Sequence, residues 1–144
     1  MEILKLDNIT LSASFQDRDE AIKAAGRILV ENGYVAPEYV DCMLQREAVI
    51  STYVGNNVAV PHGISGSEGF IKESGISVVV VPEGVQYSEH DVAKLIIGIA
   101  GRDGQHMDIL GQIAMICSEQ ENVDEILQAK SAQEILEIFQ KELV

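Results

Sequence analysis

Apolar residues near the N-terminus recur at intervals of three and four, the spacing that puts them on one face of an α-helix. This pattern predicts a helix over residues 17–32, where Asp17 followed three positions later by Glu20 resembles a capping box. A second helix is predicted over residues 37–47, because a proline suits its first turn and apolar residues follow at helical spacing. Two amphipathic helices are therefore expected before the first buried strand.

The middle of the chain instead contains short apolar runs, which are typical of buried strands. Residues 76–81 and 93–100 are the longest of these runs, and residues 58–60 form a shorter one that ends at a proline. Weak alternation over residues 8–12 predicts an edge strand. The Pro-Glu-Gly sequence at residues 82–84 predicts a turn. We therefore expect a sheet at the centre of the fold.

Helical spacing returns towards the C-terminus. It predicts a helix over residues 105–118, a short helix over residues 123–128 and a last helix that Ser131 and Glu134 open with a second capping box. Residues 63–73 are rich in Gly, Ser and charged residues and are predicted to form a loop or a short irregular helix. The mixture of strands and helices predicts a layered α/β fold around one central sheet.

Composition and charge exclude several classes of protein. The chain has 144 residues, the length of a single domain, and its formal net charge of −13 argues against binding to nucleic acid or to an anionic membrane. No apolar run approaches the roughly 18 residues of a membrane span. The N-terminus lacks the features of a signal peptide and the two cysteines are unclustered, so we expect a reduced, cytoplasmic protein.

The candidate chemistry lies in three polar side chains. His62 follows the predicted strand at residues 58–60, and His106 lies in the first turn of the helix predicted at residues 105–118. Ligand sites in α/β folds favour strand ends, and the unpaired N–H groups of a helix start favour anions. Neutral imidazole is a good nucleophile at pH 7, and the guanidinium of Arg46 suits a phosphoryl group. These residues together predict a phosphohistidine site.

Each of these side chains also has a structural interpretation. A single histidine at a strand end is more often structural than reactive, and Arg46 could pair with Asp41 or Glu47 on the surface. His90 lies between two acidic residues and is expected to be solvated, without a role. A metal site is the least favoured interpretation, because no two histidines have the spacing of metal ligands. We expect neither a metal nor a cofactor.

Four local sequences resemble one family over nearly the whole chain. They are YVGNNVAVPHG at residues 53–63, PEGV at 82–85, AKLIIGIA at 93–100 and QHMDIL at 105–110. The combination is similar to the enzyme IIA proteins of the bacterial sugar phosphotransferase system, in the mannitol/fructose superfamily, and is closest to the mannitol branch. The sequence GRDG at residues 101–104 departs from that branch, whose members more often carry alanine and asparagine there. Fructose or another polyol is therefore the alternative sugar.

The resemblance implies a fold, a site and a set of partners. The fold would be a single domain over residues 1–144, with a mixed, roughly five-stranded sheet and helices on both faces. His62 would be the phosphorylated histidine, with His106 as the supporting histidine and Arg46 as the active-site arginine. The phosphoryl group would come from the phosphocarrier protein HPr and pass to a cysteine of the mannitol IIB or IICB component.

The family's chemistry adds expectations for the site itself. His62 would attack through Nε2 while a backbone carbonyl holds the hydrogen on Nδ1, and no Mg²⁺ would be needed. An apolar surface around His62 would receive each protein partner in turn. The alternative function is a regulatory module whose phosphorylation state controls a protein partner.

Overall fold

The computed structural model of this chain describes residues 2–143 and has helices where helical spacing predicts them. The α-helices are α1 (Arg18–Glu31), α2 (Glu38–Val49), α3 (Gln105–Ser118), α4 (Gln120–Gln128) and α5 (Ala132–Glu142). The strands are β1 (Ile9–Thr10), β2 (Tyr53–Gly55), β3 (Val58–Ala59), β4 (Gly75–Gln86) and β5 (Val92–Ala100). Within residues 2–143, no helix has both the length and the apolar content that crossing a membrane requires.

The strands form one mixed, five-stranded sheet with the order β1-β4-β5-β3-β2. Strands β1 and β4 pair in parallel, and so do β3 and β5. The other two pairs, β4 with β5 and β2 with β3, are antiparallel. Strand β1 lies at one edge, as the weak alternation of its sequence predicts. The predicted α/β class and mixed sheet are both confirmed.

Alternate side chains of the central strands face opposite layers of helices. Ile76, Val78 and Val80 of β4 pack with buried residues of α3, α4 and α5. Val79 and Val81 point the other way and pack with buried residues of α1 and α2. Because both faces are covered, the central strands are apolar on both sides, which explains their nearly continuous apolar sequence. The predicted helices on both faces are confirmed.

The two predicted capping sequences are also confirmed. The Asp17 carboxylate accepts a hydrogen bond of 2.9 Å from the Glu20 N–H at the start of α1. The Ser131 hydroxyl accepts one of 3.2 Å from the Glu134 N–H at the start of α5. In both helices the glutamate reaches back 2.8 Å to the N–H of the residue before the cap. Each pair satisfies backbone donors that would otherwise lack a partner.

One local prediction is wrong, and one short strand was not predicted. Residues 82–84 are not a turn between strands, because β4 continues through them to Gln86. Pairing with β5 is irregular between Val80 and Val85, so the missing N–H of Pro82 falls in a gap of the ladder where it costs no hydrogen bond. Residues 53–55, where no strand was predicted, form the short strand β2. Residues 63–73, predicted to form a loop or a short irregular helix, form a loop that contains a single 3-10 turn at Glu68–Phe70.

Strands β3 and β5 run parallel and bring two segments to the same edge of the sheet. After β3 the chain reaches His62, which forms an isolated parallel bridge with Ile99 of β5. After β5 the chain turns and begins α3, whose first turn contains His106. Two histidines separated by forty-three residues of chain are thereby brought to one end of the sheet.

Candidate functional site

The imidazole of His62 is held by the backbone that immediately precedes it. Its Nδ1 lies 2.8 Å from the carbonyl oxygen of Val60, and only 6% of the residue is exposed. A carbonyl oxygen can only accept a hydrogen bond, so Nδ1 must carry the hydrogen in this contact. In the neutral ring the lone pair is then on Nε2. This is the tautomer that the sequence predicts for a nucleophile.

The environment of His62 also favours the neutral form of the ring. Burial lowers its pKa below the ordinary histidine value, and the nearby charges of His106 and Arg46 act in the same direction. The hydrogen bond to Val60 and the charge of Glu47 act against this shift, and the net direction is downward. Nε2 is therefore unprotonated at pH 7 and able to react.

His106 lies beside His62, with its ring centroid 4.9 Å from that of His62 and the two planes tilted by 52°. It is half-buried in the first turn of α3. Burial lowers its pKa, the charge of Glu68 raises it and that of Arg46 lowers it. Gly101 packs so closely on the backbone of His106 that a Cβ atom there would overlap it. The close contact fixes where α3 begins.

Arg46 projects from the last turn of α2 into the same site. Its Nη1 donates a 2.7 Å hydrogen bond to the carbonyl oxygen of Ile50, just beyond the helix end. Among residues 2–143, none of the salt bridges involves Arg46, so the surface pairing considered from the sequence does not form. His62, His106 and Arg46 line one pocket of about 210 Å³, together with Glu68 and the loop after His62.

Tyr39 supports the loop after His62 and was not singled out by its sequence. Its hydroxyl donates a 2.8 Å hydrogen bond to the carbonyl oxygen of Ile99 and accepts one of 2.8 Å from the Gly63 N–H. Burial raises the pKa of Tyr39 to about 12, so the hydroxyl stays protonated and keeps both bonds. The tyrosine thus ties the His62 segment to β5.

Glu47 is a buried carboxylate, which the sequence suggested only as one of two surface partners for Arg46. It is 3% exposed and accepts hydrogen bonds from the Thr52 N–H at 2.9 Å, the Thr52 hydroxyl at 2.6 Å and the Tyr87 hydroxyl at 3.0 Å. Tyr39, Met43 and Glu47 are spaced four residues apart along α2 and all three are buried. A carboxylate on the apolar stripe of a helix was the signal that could have revealed it.

The remaining candidates lie outside the site. His90 is fully in the solvent, with 86% of its side chain exposed, and its nearest charged partner is Glu89 at 4.0 Å. Over residues 2–143, no three His, Cys, Asp or Glu side chains are grouped so that they could hold a metal ion. The site can bind and transfer an anionic group with an imidazole nucleophile, a second imidazole and a guanidinium.

Comparison with known proteins points to one family. The family described as the phosphoenolpyruvate-dependent sugar phosphotransferase system, EIIA 2, matches residues 2–142. The mannitol-specific phosphotransferase enzyme IIA component of Geobacillus stearothermophilus is 48% identical over 139 residues, which are 96% of each chain. The corresponding component of Bacillus subtilis is 44% identical over 139 residues, 96% of this chain and 97% of that protein.

A solved structure agrees with the sequence relatives. The complex of enzyme IIAMTL with phosphorylated enzyme IIBMTL from Escherichia coli contains a chain that superposes with a TM-score of 0.90 at 34% identity. The alignment covers 96% of this chain and 97% of that chain. Similarity therefore extends over the whole fold.

Proposed function

This chain belongs to the EIIA 2 family of the phosphoenolpyruvate-dependent sugar phosphotransferase system, and we propose that it carries the phosphoryl group on Nε2 of His62. As a family member it is a phosphotransferase component that relays phosphoryl groups in sugar uptake. The hydrogen bond from His62 Nδ1 to the Val60 carbonyl is the observation that most strongly supports His62 as the carrier, because it leaves the Nε2 lone pair free.

Phosphoryl uptake takes place between two imidazoles. The Nε2 lone pair of His62 forms a bond to the phosphorus of phosphohistidine on HPr, and the bond from that phosphorus to the HPr nitrogen breaks with its electron pair left on nitrogen. Arg46 and His106 stabilise the charge on the phosphoryl oxygens as it spreads in the transition state. The Nδ1 hydrogen remains on His62 throughout.

Delivery reverses these roles. A cysteine thiolate of the IIB component attacks the phosphorus, and the bond between phosphorus and Nε2 breaks with its electrons on Nε2. Because Nδ1 still carries its hydrogen, His62 leaves as a neutral imidazole rather than as an anion, which makes it a good leaving group. The site is then ready for the next HPr.

The sugar we propose is mannitol, and the acceptor is the mannitol IIB or IICB component. The relatives at 44% and 48% identity are named as mannitol-specific, and the superposed chain comes from a complex with phosphorylated IIBMTL. The match over residues 2–142 supports a single EIIA domain spanning the chain. Loop residues 101–104, which depart from the mannitol branch, make fructose or another polyol the competing sugar.

Transfer of radiolabelled phosphate from phospho-HPr tests the role of each histidine. We expect His62→Ala to take up no label, because it lacks the accepting nitrogen. His106→Ala should still become labelled, more slowly than wild type, because the accepting nitrogen remains, and should pass the label to IIB about a hundredfold more slowly, since a group that assists the transition state is lost. His90→Ala is the matched control and should behave as wild type. Full labelling of the His62→Ala protein would refute the proposal.

Acceptor and sugar are tested in the same assay. Labelled protein should pass its phosphate to a mannitol IICB component and phosphorylate mannitol, with little transfer through a fructose component. Labelled protein that transfers to no IIB cysteine, yet binds a regulator in only one phosphorylation state, would identify it as a regulatory module instead.

A further inference from the structure

Three hydrogen bonds, linked by the backbone of Thr52 and Val60, connect the buried carboxylate of Glu47 to the reactive ring. Glu47 Oε2 accepts from the Thr52 N–H at 2.9 Å, the Thr52 carbonyl accepts from the Val60 N–H at 3.0 Å, and the Val60 carbonyl accepts from His62 Nδ1 at 2.8 Å. All four residues are buried, with exposures between 2% and 6%. The path therefore lies in a region from which water is excluded.

Such a path fixes the geometry of its last hydrogen bond. The N–H and the carbonyl of Thr52 belong to different peptide groups, as do those of Val60, so the three bonds hold the backbone in place and do not form one polarised series. Glu47 fixes Thr52, Thr52 fixes Val60, and the Val60 carbonyl is thereby kept against Nδ1 of His62. In other catalytic sites a carboxylate fixes the tautomer of a histidine by direct contact. Here the backbone of Thr52 and Val60 stands between the carboxylate and the ring.

Glu47 is itself firmly held. The Thr52 and Tyr87 hydroxyls both approach its Oε1, at 2.6 Å and 3.0 Å, while the Thr52 N–H binds Oε2. All three of these groups can donate a hydrogen bond, which suits a carboxylate because a carboxylate can only accept. Glu47 does not line the pocket that contains His62, so its carboxylate does not touch the phosphoryl group.

We propose that Glu47 is a positioning residue for phosphoryl transfer, which holds the backbone of Thr52 and, through it, that of Val60, and so keeps the hydrogen on Nδ1 of His62. The proposal rests on the proposed role of His62 as the phosphoryl carrier. It gives a role to a buried carboxylate that does not contact the phosphoryl group.

The benefit is greatest when His62 is phosphorylated. Once the bond from Nε2 to phosphorus forms and Nδ1 keeps its hydrogen, the ring carries a positive charge. The Val60 carbonyl, which Glu47 holds in place through Thr52, stabilises that charge. If the hydrogen moved to Nε2 in the free protein, the lone pair would lie on Nδ1, facing the Val60 carbonyl and unable to reach phosphorus.

The charged groups facing His62 come from two helices. Arg46 and Glu47 belong to α2, and His106 belongs to α3. Of these, Glu47 is the one whose charge raises the pKa of His62. Removing that charge should lower the pKa of His62 further and weaken the preference for the Nδ1 hydrogen.

The test combines nitrogen-15 NMR of the histidine rings with the phosphoryl-transfer assay. Glu47→Gln keeps the size and one accepting oxygen but removes the charge. We expect a lower His62 pKa, a measurable population with the hydrogen on Nε2, and uptake from phospho-HPr slowed about tenfold. Asp41→Asn, an exposed carboxylate on the same helix, should leave all three unchanged. Tyr87→Phe removes one contact to Glu47 but leaves the path intact, so it should keep the wild-type tautomer.

The outcomes separate this proposal from the function on which it rests. A Glu47→Gln protein with a wild-type ring spectrum would overturn the positioning role, even if it is less stable. If Glu47→Gln does not fold, Glu47→Asp replaces it: the shorter side chain lengthens the contact to Thr52, and an unchanged His62 spectrum would equally overturn the role. A wild-type protein that is not labelled at His62 would instead overturn the proposed function, while the spectra would still report on the path.

Discussion

Two features prepare His62 for reaction: a hydrogen bond keeps the hydrogen on Nδ1, and the environment keeps Nε2 unprotonated. The 2.8 Å contact from Nδ1 to the Val60 carbonyl selects the tautomer, and burial lowers the pKa. Either effect alone would be less useful, because a neutral ring of the wrong tautomer presents N–H to the phosphorus and a protonated ring has no lone pair. The same burial has a consequence for stability.

Two histidines whose pKa values are lowered by burial, buried His62 and half-buried His106, should make the fold sensitive to mild acid. Unfolded histidine has a pKa of about 6.5. In His62 and His106 the folded pKa lies below it, so the unfolded chain binds more protons as the pH falls. Their contribution to the free energy of unfolding is therefore full above pH 6.5 and declines as the pH falls through 6.5 towards the folded values.

Urea unfolding at about pH 7.5, 6.5 and 5.5 measures this dependence in a range above the ordinary titration of carboxylates. His62→Ala should show a shallower decline than wild type, because one of the two linked groups is gone. His90→Ala, which retains both His62 and His106, should show the full decline. A wild-type protein that is equally stable at all three pH values would contradict the expectation.

What the sequence could indicate differs from residue to residue. His62, His106 and Arg46 stand in strings that resemble a family's site, and the fold brings them to one pocket. Glu47 stands beside Arg46 but points the other way, and its partners Thr52 and Tyr87 come from two other segments. No local pattern joins those segments, so only the folded chain reveals the cluster.

At the scale of elements, the junction between β5 and α3 determines where His106 lies. Gly101 follows β5 directly, and its α-carbon faces the backbone of His106. We expect Gly101→Ala to lower the free energy of unfolding by about 2 kcal/mol, because the added methyl group must displace the start of α3. Transfer from His62 should slow as well, since His106 moves with the helix.

Gly111 offers the matched control on the same helix. A Cβ atom there would meet nothing within 4 Å. Gly111→Ala should therefore stabilise the protein by about 0.5–1 kcal/mol, the usual gain inside an exposed helix, and leave transfer unchanged. Calorimetry or urea unfolding measures both variants. Equal effects from the two substitutions would show that the junction is not tightly packed.

Strand β4 shows why a turn predicted from a few residues can be wrong. Pro82 and Gly84 have the composition of a turn, and Gly84 does adopt a positive φ of 77°. Yet β4 continues to Gln86 because Val85 and Gln86 pair with Ala93 and Val92 of β5. The irregularity is a bulge in a long strand rather than its end. Pairing with the next strand decided the outcome, and it cannot be read from the four residues at 82–85 alone.

At the scale of the whole molecule, large apolar side chains remain exposed close to the site. Val49 and Ile50 follow Arg46 at the end of α2 with exposures of 70% and 65%, and Met107 follows His106 with 70%. In a chain of net charge −13, these side chains are available for contact with a protein partner. We propose that they belong to the apolar surface that the sequence predicts for the docking of HPr and IIB.

Met107 and Met115 provide a matched pair for testing that surface. Both belong to α3, and they are 70% and 74% exposed, but Met115 lies about two turns farther from His106. We expect Met107→Ser to slow transfer from phospho-HPr and to IIB by about fivefold each, because one apolar surface serves both partners. Met115→Ser should leave both rates unchanged, and neither substitution should alter the urea midpoint, since both side chains are already in water. Slowing of one transfer but not the other would mean that HPr and IIB dock on different surfaces, and equal slowing by Met115→Ser would place the docking surface elsewhere on α3.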